Sequence, residues 1–197
     1  MCLARRDGYA VRAFTVEIHD VSESEMKAAR KLGERVGVLE HRFVRLPDVR
    51  EAGDIKESKQ LRDVPPTYIP MKNAIYYSLA AAFAEERGSH LLIGGHNGED
   101  RNLFADTSEE FFASLQKALL AGSPRLKSHG LEILRPLRDM GKAEVITLAK
   151  EIGVPLELTW SCYKAGSSHC WRCDGCRKRE AAFRAAGVPD PLAPARP

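Results

Sequence analysis

The sequence predicts an α/β fold in which helices cover both faces of a parallel sheet, the doubly wound arrangement. Short apolar or β-branched runs alternate along the chain with amphipathic helical patterns, and most helical patterns end at a glycine. A length of 197 residues, with 44% hydrophobic and 29% charged residues, fits one globular domain of ordinary size with a core.

The chain opens on residues 3–7, whose pattern is typical of the last turn of a helix that ends at Gly8. A helix of about six residues is hard to nucleate, so we expect the start of this element to lie upstream. Residues 11–18 are rich in β-branched and aromatic side chains and predict the first strand.

A helix and a second strand are predicted next. Ser22 and Glu25 form a capping box that begins a helix ending near Val36. Residues 41–46 predict a strand, whereas the polar and turn-rich stretch 47–66 predicts a surface excursion.

The middle of the chain predicts two more helices and a buried strand between them. Asn73 is an N-cap for a helix that ends at Gly88, and Thr107 with Glu110 forms a capping box for the next. Residues 91–94 are a wholly apolar run, typical of a parallel strand buried on both faces. The second helix is expected to bury Phe111, Leu115, Ala118 and Leu119.

The sheet region closes with a short strand at 132–134 and an amphipathic helix at 142–152. We expect an α/β domain over residues 1–158, followed by a cysteine-containing segment and tail over 159–197. The sequence contains no internal repeat.

Charge and hydropathy argue against several classes of partner. The net charge of +3 and an aromatic content of 7% argue against direct nucleic-acid binding. No apolar run approaches the roughly 20 residues of a membrane span, and the polar N-terminus lacks a signal-peptide segment. We therefore expect a cytoplasmic protein without a membrane partner.

Four of the five cysteines lie close together in the sequence: Cys162, Cys170, Cys173 and Cys176. Two consecutive C-x-x-C steps and one upstream cysteine can place four thiolates in a tetrahedron, which favours one structural zinc ion. An iron–sulfur cluster is the main alternative, although the ferredoxin pattern has its last cysteine downstream beside a proline. His169 is a further candidate ligand, and the basic residues around the cluster, Arg179 among them, are expected to form a solvated surface.

Two loops offer groups that can bind a ligand. Residues 95–100 follow the buried strand, where open α/β sheets bind ligands, and they combine two glycines with polar side chains. Residues 68–73 lead into a helix, so free N–H groups and the Lys72 ammonium can hold a phosphate. The alternative interpretation is that each loop is an ordinary turn that binds no ligand.

Five stretches, in this order, resemble the 7-cyano-7-deazaguanine synthase family of ATP pyrophosphatase-type enzymes. They are Y-I-P-M-K-N at 68–73, residues 94–100, D-T-S-E-E-F at 106–111, P-L-R-D-M-G-K at 136–142, and T-W-S-C-Y at 159–163 with the trailing cysteines. The resemblance runs from near residue 1 to about residue 191, and the last stretch is its most distinctive part.

The resemblance implies a Rossmann-like fold similar to the adenine nucleotide alpha hydrolases. It implies conversion of 7-carboxy-7-deazaguanine and ammonia, with ATP and Mg²⁺, to the nitrile preQ0, a precursor of queuosine and archaeosine; a homodimer is left open. By position it assigns catalysis to Lys142 and Asp100. It assigns cofactor binding to Pro70, Lys72, Asn73 and Gly94, and substrate binding to Asp106, Thr107 and Glu110.

The chain departs from the family pattern in three places. The phosphate loop S-G-G-x-D-S is not in the sequence, so we expect either an upstream start, which we favour, or a loss of adenylation. Thr107 and Ser108 replace a cysteine and an arginine, and Lys72 replaces an arginine, which keeps the charge without the planar two-pronged geometry. These departures leave two alternative functions open. The chain could be a related ATP pyrophosphatase with another substrate, or a non-catalytic zinc-stabilised subunit that a partner completes.

Overall fold

The structure, a computed structural model, describes residues 1–18, 23–55, 61–66, 68–99, 104–164 and 166–194. The chain divides into two compact units, Met1–Arg50 with Ala143–Pro197, and Glu51–Lys142. The predicted division of the chain into residues 1–158 and 159–197 stays a prediction.

The first unit begins with a helix and a parallel strand pair. Helix α1 (Cys2–Arg6) is followed by β1 (Arg12–Ile18), α2 (Glu23–Val36) and β2 (Glu40–Leu46). The two strands pair in parallel along their whole length. The predicted bounds of both strands are confirmed to within one residue, while Ser22 of the predicted capping box lies outside the described residues.

The rest of the first unit comes from the C-terminal part of the chain. It contains α6 (Lys142–Glu151, with its first residue in the other unit), a 3₁₀ turn (Leu156–Leu158) and α7 (Asp174–Ala186). The sequence analysis did not predict α7, which begins inside the cysteine cluster and ends at a left-handed Gly187.

The second unit contains the other strand pair and most of the described apolar core. Its elements are a 3₁₀ turn (Ala52–Asp54), α3 (Lys72–Arg87), β3 (Leu91–Ile93), a 3₁₀ turn (Ala105–Thr107), α4 (Glu109–Gly122), α5 (Pro124–His129) and β4 (Glu132–Leu134). Strands β3 and β4 pair in parallel, as predicted, and α5 was not predicted. The parallel pairs and their helices confirm the α/β, Rossmann-like class.

The core of the second unit lies between α3, α4 and the β3–β4 pair. Phe112, which the sequence analysis missed, is its most buried aromatic residue at 2% exposure, and it packs edge-on against Tyr77 at 5.1 Å between ring centroids. Phe111, Leu115 and Leu119 are partly buried against this cluster, as expected, whereas Ala118, also expected to be buried, is exposed.

Two predicted helix caps are wrong by one or two residues. Helix α3 has Met71 as its N-cap, in a left-handed conformation with φ 55°, so Asn73 lies inside the first turn. Helix α4 is capped by Ser108, whose Oγ accepts the Phe111 N–H, and Thr107 belongs to the preceding 3₁₀ turn. Each predicted cap residue instead forms a hydrogen bond described below: Asn73 with Asp106, and Thr107 with Phe104.

Across the described ranges of the chain, no helix combines the length and apolar character that crossing a bilayer requires.

Candidate metal centre and active site

The four clustered cysteines bring their sulfur atoms together at one point in the first unit. All four Sγ atoms lie within 4.8 Å of one another, and the Cys170–Cys176 and Cys162–Cys173 pairs are each 3.9 Å apart. A tetrahedral ion with Zn–S bonds of about 2.3 Å requires sulfurs about 3.8 Å apart. The thiols are free rather than paired in disulfides, so the cluster has the donor set and spacing to hold a metal ion.

Helix α7 and the turn before it position the downstream thiols. Cys173 is the N-cap of α7 and Cys176 lies in its first turn. Between Cys170 and Cys173 the chain turns at Trp171, which adopts a left-handed φ of 55°. The Cys173 N–H donates to the Cys170 sulfur over 3.3 Å, so the backbone of the turn itself stabilises a thiolate.

Gly175 allows the chain to close around the cluster. A Cβ at this position would collide with the backbone oxygen of Ser161 and lie 3.0 Å from the Tyr163 ring. The T-W-S-C-Y stretch therefore packs directly against the start of α7.

The thiols differ in how easily they lose a proton. Backbone N–H groups of Arg172 and Cys173 lower the pKa of Cys170 to about 6, whereas burial raises the pKa of Cys176 to about 12. A fully buried thiolate at Cys176 needs a cation beside it. Four cysteines leave no open coordination position, so an ion here would be structural rather than catalytic.

His169 is not a member of the metal-ligating group. Its Nε2 accepts a hydrogen bond from the Ser161 N–H over 3.1 Å. Its ring contacts two indoles, with its centroid 4.5 Å from that of Trp160 and 5.5 Å from that of Trp171. Burial, together with the nearby Arg179 charge, lowers its pKa, so the imidazole is neutral and supports the loop from outside the cluster.

Arg179 is buried in an ion pair and does not belong to a solvated basic surface. Its Nε and Nη2 donate to the two carboxylate oxygens of Asp190 over 2.7 and 2.8 Å, and its Nη1 donates to the Thr159 hydroxyl over 2.7 Å. Only 4% of the Arg179 side chain and 6% of the Asp190 side chain are exposed. This ion pair ties α7 to the C-terminal tail and to the residues that precede Cys162.

Asn73 and Asp106, both predicted to bind ligands, are joined to each other in the second unit. The Asn73 backbone N–H donates to Asp106 Oδ2 and its side-chain amide donates to the Asp106 backbone oxygen, both over 3.0 Å. Both residues are buried. Asp106 thus satisfies a free N–H group at the start of α3, which is the role that a local cap would otherwise fill.

The other predicted residues near this junction differ in exposure. The Thr107 hydroxyl is buried and donates to the Phe104 backbone oxygen over 2.7 Å. Pro70 is half-buried, whereas Lys72 and Glu110 are exposed. The Lys72 ammonium lies 5.5 Å from the centroid of the Tyr76 ring.

Lys142 forms two hydrogen bonds with the loop after β3. Its Nζ lies 2.6 Å from Glu99 Oε2, and its backbone N–H donates to Glu99 Oε1 over 3.0 Å. Glu99 thereby holds the predicted catalytic lysine at the start of α6. Asp100, the second predicted catalytic residue, lies outside the described residues.

Gly94, at the carboxyl end of β3, is packed against a buried tyrosine. Its N–H donates to the Leu134 backbone oxygen over 2.9 Å, and a Cβ at Gly94 would occupy the place of the Tyr77 hydroxyl. Burial raises the pKa of Tyr77 to about 12, and the hydroxyl has no hydrogen-bond partner among the described residues. The sequence analysis gave no signal for this contact because Tyr77 lies in an ordinary helical pattern.

We expect Gly94→Ala to lower the free energy of unfolding by about 1–3 kcal/mol, because the new methyl group overlaps the Tyr77 hydroxyl. Adding Tyr77→Phe should recover part of the loss, since it removes the overlapping atom and an unpaired buried hydroxyl. Urea unfolding of the single and double variants measures both effects. Gly95→Ala is the matched control, because a Cβ there meets nothing within 4 Å; equal losses at 94 and 95 would contradict the packing argument.

The chain is similar in sequence to known proteins over most of its length. The sequence profile of the family "Queuosine biosynthesis protein QueC" matches residues 1–187. The chain is 36% identical over 196 residues to the 7-cyano-7-deazaguanine synthase of Thermoplasma acidophilum, covering 94% of this chain and 82% of that protein. Proteins of the same name from Ralstonia pickettii and Trichodesmium erythraeum are 34% and 32% identical over 203 residues, covering 97% and 96% of this chain and 90% and 91% of theirs. The chain belongs to the QueC family of queuosine biosynthesis proteins.

Proposed function

We propose that this protein converts 7-carboxy-7-deazaguanine and ammonia to 7-cyano-7-deazaguanine, with ATP and Mg²⁺. The observation that carries the proposal is the likeness, over 94% of the chain, to a protein named 7-cyano-7-deazaguanine synthase. The four-cysteine cluster and the turn before α3 support it, because both lie in the stretches that resemble this enzyme family.

The proposed reaction requires two activations by ATP. A carboxylate is a poor electrophile, so the first ATP converts it to an acyl adenylate and releases pyrophosphate. Ammonia then displaces AMP to give the amide. A second adenylation on the amide oxygen allows that oxygen to leave with AMP as two protons are lost, which gives the nitrile. Each step gains from fixed positive charge near the phosphates.

In this proposal the lysines at the starts of two helices serve the phosphate groups. Lys72 and Lys142 each begin a helix, where the positive end of the helix dipole adds to the charge of the side chain. The ion pair with Glu99 supports this role for Lys142, because it fixes the ammonium before a ligand arrives. Asp100 is proposed to act beside it, and Pro70 and Gly94 to let phosphates approach the backbone.

The acidic residues are proposed to bind the deazapurine. Asp106 is held by two hydrogen bonds from Asn73, so its carboxylate is fixed in place. Glu110 is exposed in the first turn of α4 and is free to turn toward a ligand. Thr107 is proposed to line the substrate site, with its hydroxyl and backbone N–H both donated to the Phe104 backbone oxygen.

The metal in the cysteine cluster is proposed to be one structural zinc ion per chain. The support is the set of four cysteine sulfurs within 4.8 Å of one another, a donor set that leaves no open coordination position on a tetrahedral ion. A homodimer, ammonia as the second substrate and a cytoplasmic location stay predictions.

The reaction is tested by incubating the full-length protein with 7-carboxy-7-deazaguanine, ammonia, ATP and Mg²⁺ and detecting the nitrile by mass spectrometry. Lys142→Met is expected to lower kcat/KM on the order of 100-fold, because it removes a charge that faces the developing negative charge. Lys150→Met, a substitution of an exposed lysine on the same helix, is the control and should leave the rate unchanged. Zinc-loaded protein that binds ATP but forms no nitrile would overturn the proposal, and pyrophosphate release with a different acid would indicate another substrate.

A further inference from the structure

Arg135, the residue that follows β4, is a buried cation on the core face of that strand. Leu131, Ile133 and Arg135 are 4%, 9% and 8% exposed, so the Arg135 side chain leaves the chain on the face that packs against the helices. Its guanidinium carbon lies 4.3 Å from the centroid of the Phe112 ring. A charged group is therefore buried at the carboxyl end of the strand pair, the edge at which open α/β sheets bind ligands.

The guanidinium of Arg135 binds the carboxylate of Glu109, the first residue of α4. Its Nη1 donates to Oε1 over 3.1 Å and its Nη2 donates to Oε2 over 2.6 Å, the two-pronged geometry that fixes a carboxylate in one orientation. The Arg135 side chain is 7% exposed, whereas the Glu109 side chain is 45% exposed. The two bonds fix the first turn of α4 against the end of β4.

This ion pair is poorly suited to stabilising the fold. Burial of a guanidinium costs free energy, and water screens its attraction to a half-exposed carboxylate. The Arg135 Nε–H is also buried and has no hydrogen-bond partner among the described residues. An apolar side chain of similar length would avoid both costs, so an arginine here is better explained by what it positions than by stability.

Segment 106–110 carries the residues proposed to bind the deazapurine, and it is held at both ends. At one end, Asn73 donates two hydrogen bonds to Asp106 and joins the segment to the start of α3. At the other end, Arg135 binds Glu109 and joins the segment to the end of β4. The position of the proposed substrate-binding residues relative to β4 therefore depends on Arg135.

Arg135 also begins the turn that leads to Lys142. Its backbone oxygen accepts the Arg138 N–H over 3.1 Å. The loop after β3 holds the rest of the turn, because the Gly98 N–H donates to the Met140 backbone oxygen over 2.8 Å and the same loop binds Lys142. A short hydrogen-bonded turn within the second unit thus joins the residue that fixes the substrate segment to the lysine proposed to serve the phosphates.

We propose that Arg135 is a positioning residue that sets the distance between segment 106–110 and Lys142. The role rests on the proposed function and adds to it the residue that aligns the two substrates. In the first activation, a carboxylate oxygen attacks the α-phosphorus of ATP and forms an O–P bond, while the bond from that phosphorus to the bridging oxygen breaks and its electron pair leaves on pyrophosphate. The reacting atoms must approach to about 3–3.5 Å, and a displacement of about 1 Å costs about 100-fold in rate. Loss of the Arg135 bonds should therefore slow this step far more than it weakens binding of either substrate.

The inference predicts that Arg135→Met separates rate from binding. We expect kcat for nitrile formation to fall about 100-fold, while the Kd of 7-carboxy-7-deazaguanine alone and of ATP alone, measured by calorimetry, each change less than about threefold. The melting temperature should stay within about 3 °C of the parent, because the substitution removes an unpaired buried N–H and leaves a half-exposed carboxylate. Arg125→Met, at an exposed position of α5 in the same unit, is the matched control and should change neither rate nor binding.

Two further variants test how Arg135 acts. Arg135→Lys keeps the charge but not the two-pronged geometry, so its kcat should fall only about tenfold, and it carries the same test if Arg135→Met does not fold. The double variant Arg135→Met/Glu109→Gln should lose no more rate than Arg135→Met, because Arg135 acts through Glu109. A further loss in the double variant would show that Glu109 itself contacts the substrate and would contradict the positioning role.

The inference and the proposed function fail in different ways. A parent protein that forms no nitrile overturns the proposed function and, with it, this role of Arg135. An active parent whose Arg135→Met variant keeps its kcat, or loses kcat only in step with weaker binding and a lower melting temperature, overturns the positioning role and leaves the proposed function standing.

Discussion

A Cys176→Ser variant is expected to lose the proposed zinc ion and to melt about 10 °C below the parent protein. The Cys176 sulfur is fully buried and 3.9 Å from the Cys170 sulfur, so no outside ligand can replace it. Structural zinc contributes about 10–16 kcal/mol of binding free energy in small zinc-dependent peptides. Loss of about 4 kcal/mol shifts the melting temperature of a chain of this size by about 10 °C. Metal analysis and calorimetry measure the two effects.

Cys2→Ser is the control for the loss of a thiol, because Cys2 lies outside the cluster. It should retain one zinc per chain and the parent melting temperature. A Cys176→Ser protein that keeps stoichiometric zinc would contradict the four-thiolate centre. If metal analysis finds iron and sulfide in the parent protein, the cluster is an iron–sulfur centre and the zinc proposal is wrong.

An Arg179→Met variant is expected to lose about 3–5 kcal/mol of unfolding free energy. The substitution leaves the Asp190 carboxylate buried without its counter-ion, and the Thr159 hydroxyl loses a hydrogen-bond donor. Urea unfolding measures the loss. Arg184→Met, on an exposed position of the same helix, should change stability by less than about 0.5 kcal/mol. Adding Asp190→Leu to Arg179→Met should recover much of the loss, because the unpaired charge is then removed.

The same ion pair makes stability depend on acid pH. Burial alone would raise the pKa of Asp190, but the hydrogen bonds and charge of Arg179 outweigh burial and hold the pKa below its usual value. A depressed carboxyl pKa contributes stability that is present above the unfolded-state pKa, about 3.9 for Asp. This contribution is lost as the pH falls from about 4 through the lowered folded-state pKa. In Arg179→Met the carboxyl pKa should rise, so the loss of stability begins at higher pH.

Patterns within a few residues of sequence predicted the elements and the metal cluster well. Strand β1 is β-branched and aromatic, and β3 is wholly apolar, so each was placed within one residue. The cysteine spacing sufficed for the cluster because three of its ligands are separated by two residues each.

Contacts between residues distant in sequence could not be predicted in this way. The N-cap of α3 was misplaced because Asp106, 33 residues away, binds the Asn73 N–H. Helix α7 was missed because its first turn carries metal ligands and its surface is basic. The burial of Arg179 depends on Asp190, a partner that no periodicity reveals.

The contact between Gly94 and Tyr77 restricts the order in which these two positions can change during evolution. A lineage in which position 94 carries a larger residue loses stability when it gains tyrosine at position 77, so the glycine is expected to come first. Once the tyrosine is present, replacing Gly94 costs stability until position 77 changes again. Relatives with another residue at 94 are therefore expected to lack tyrosine at 77, and an alignment of the two columns would show this dependence.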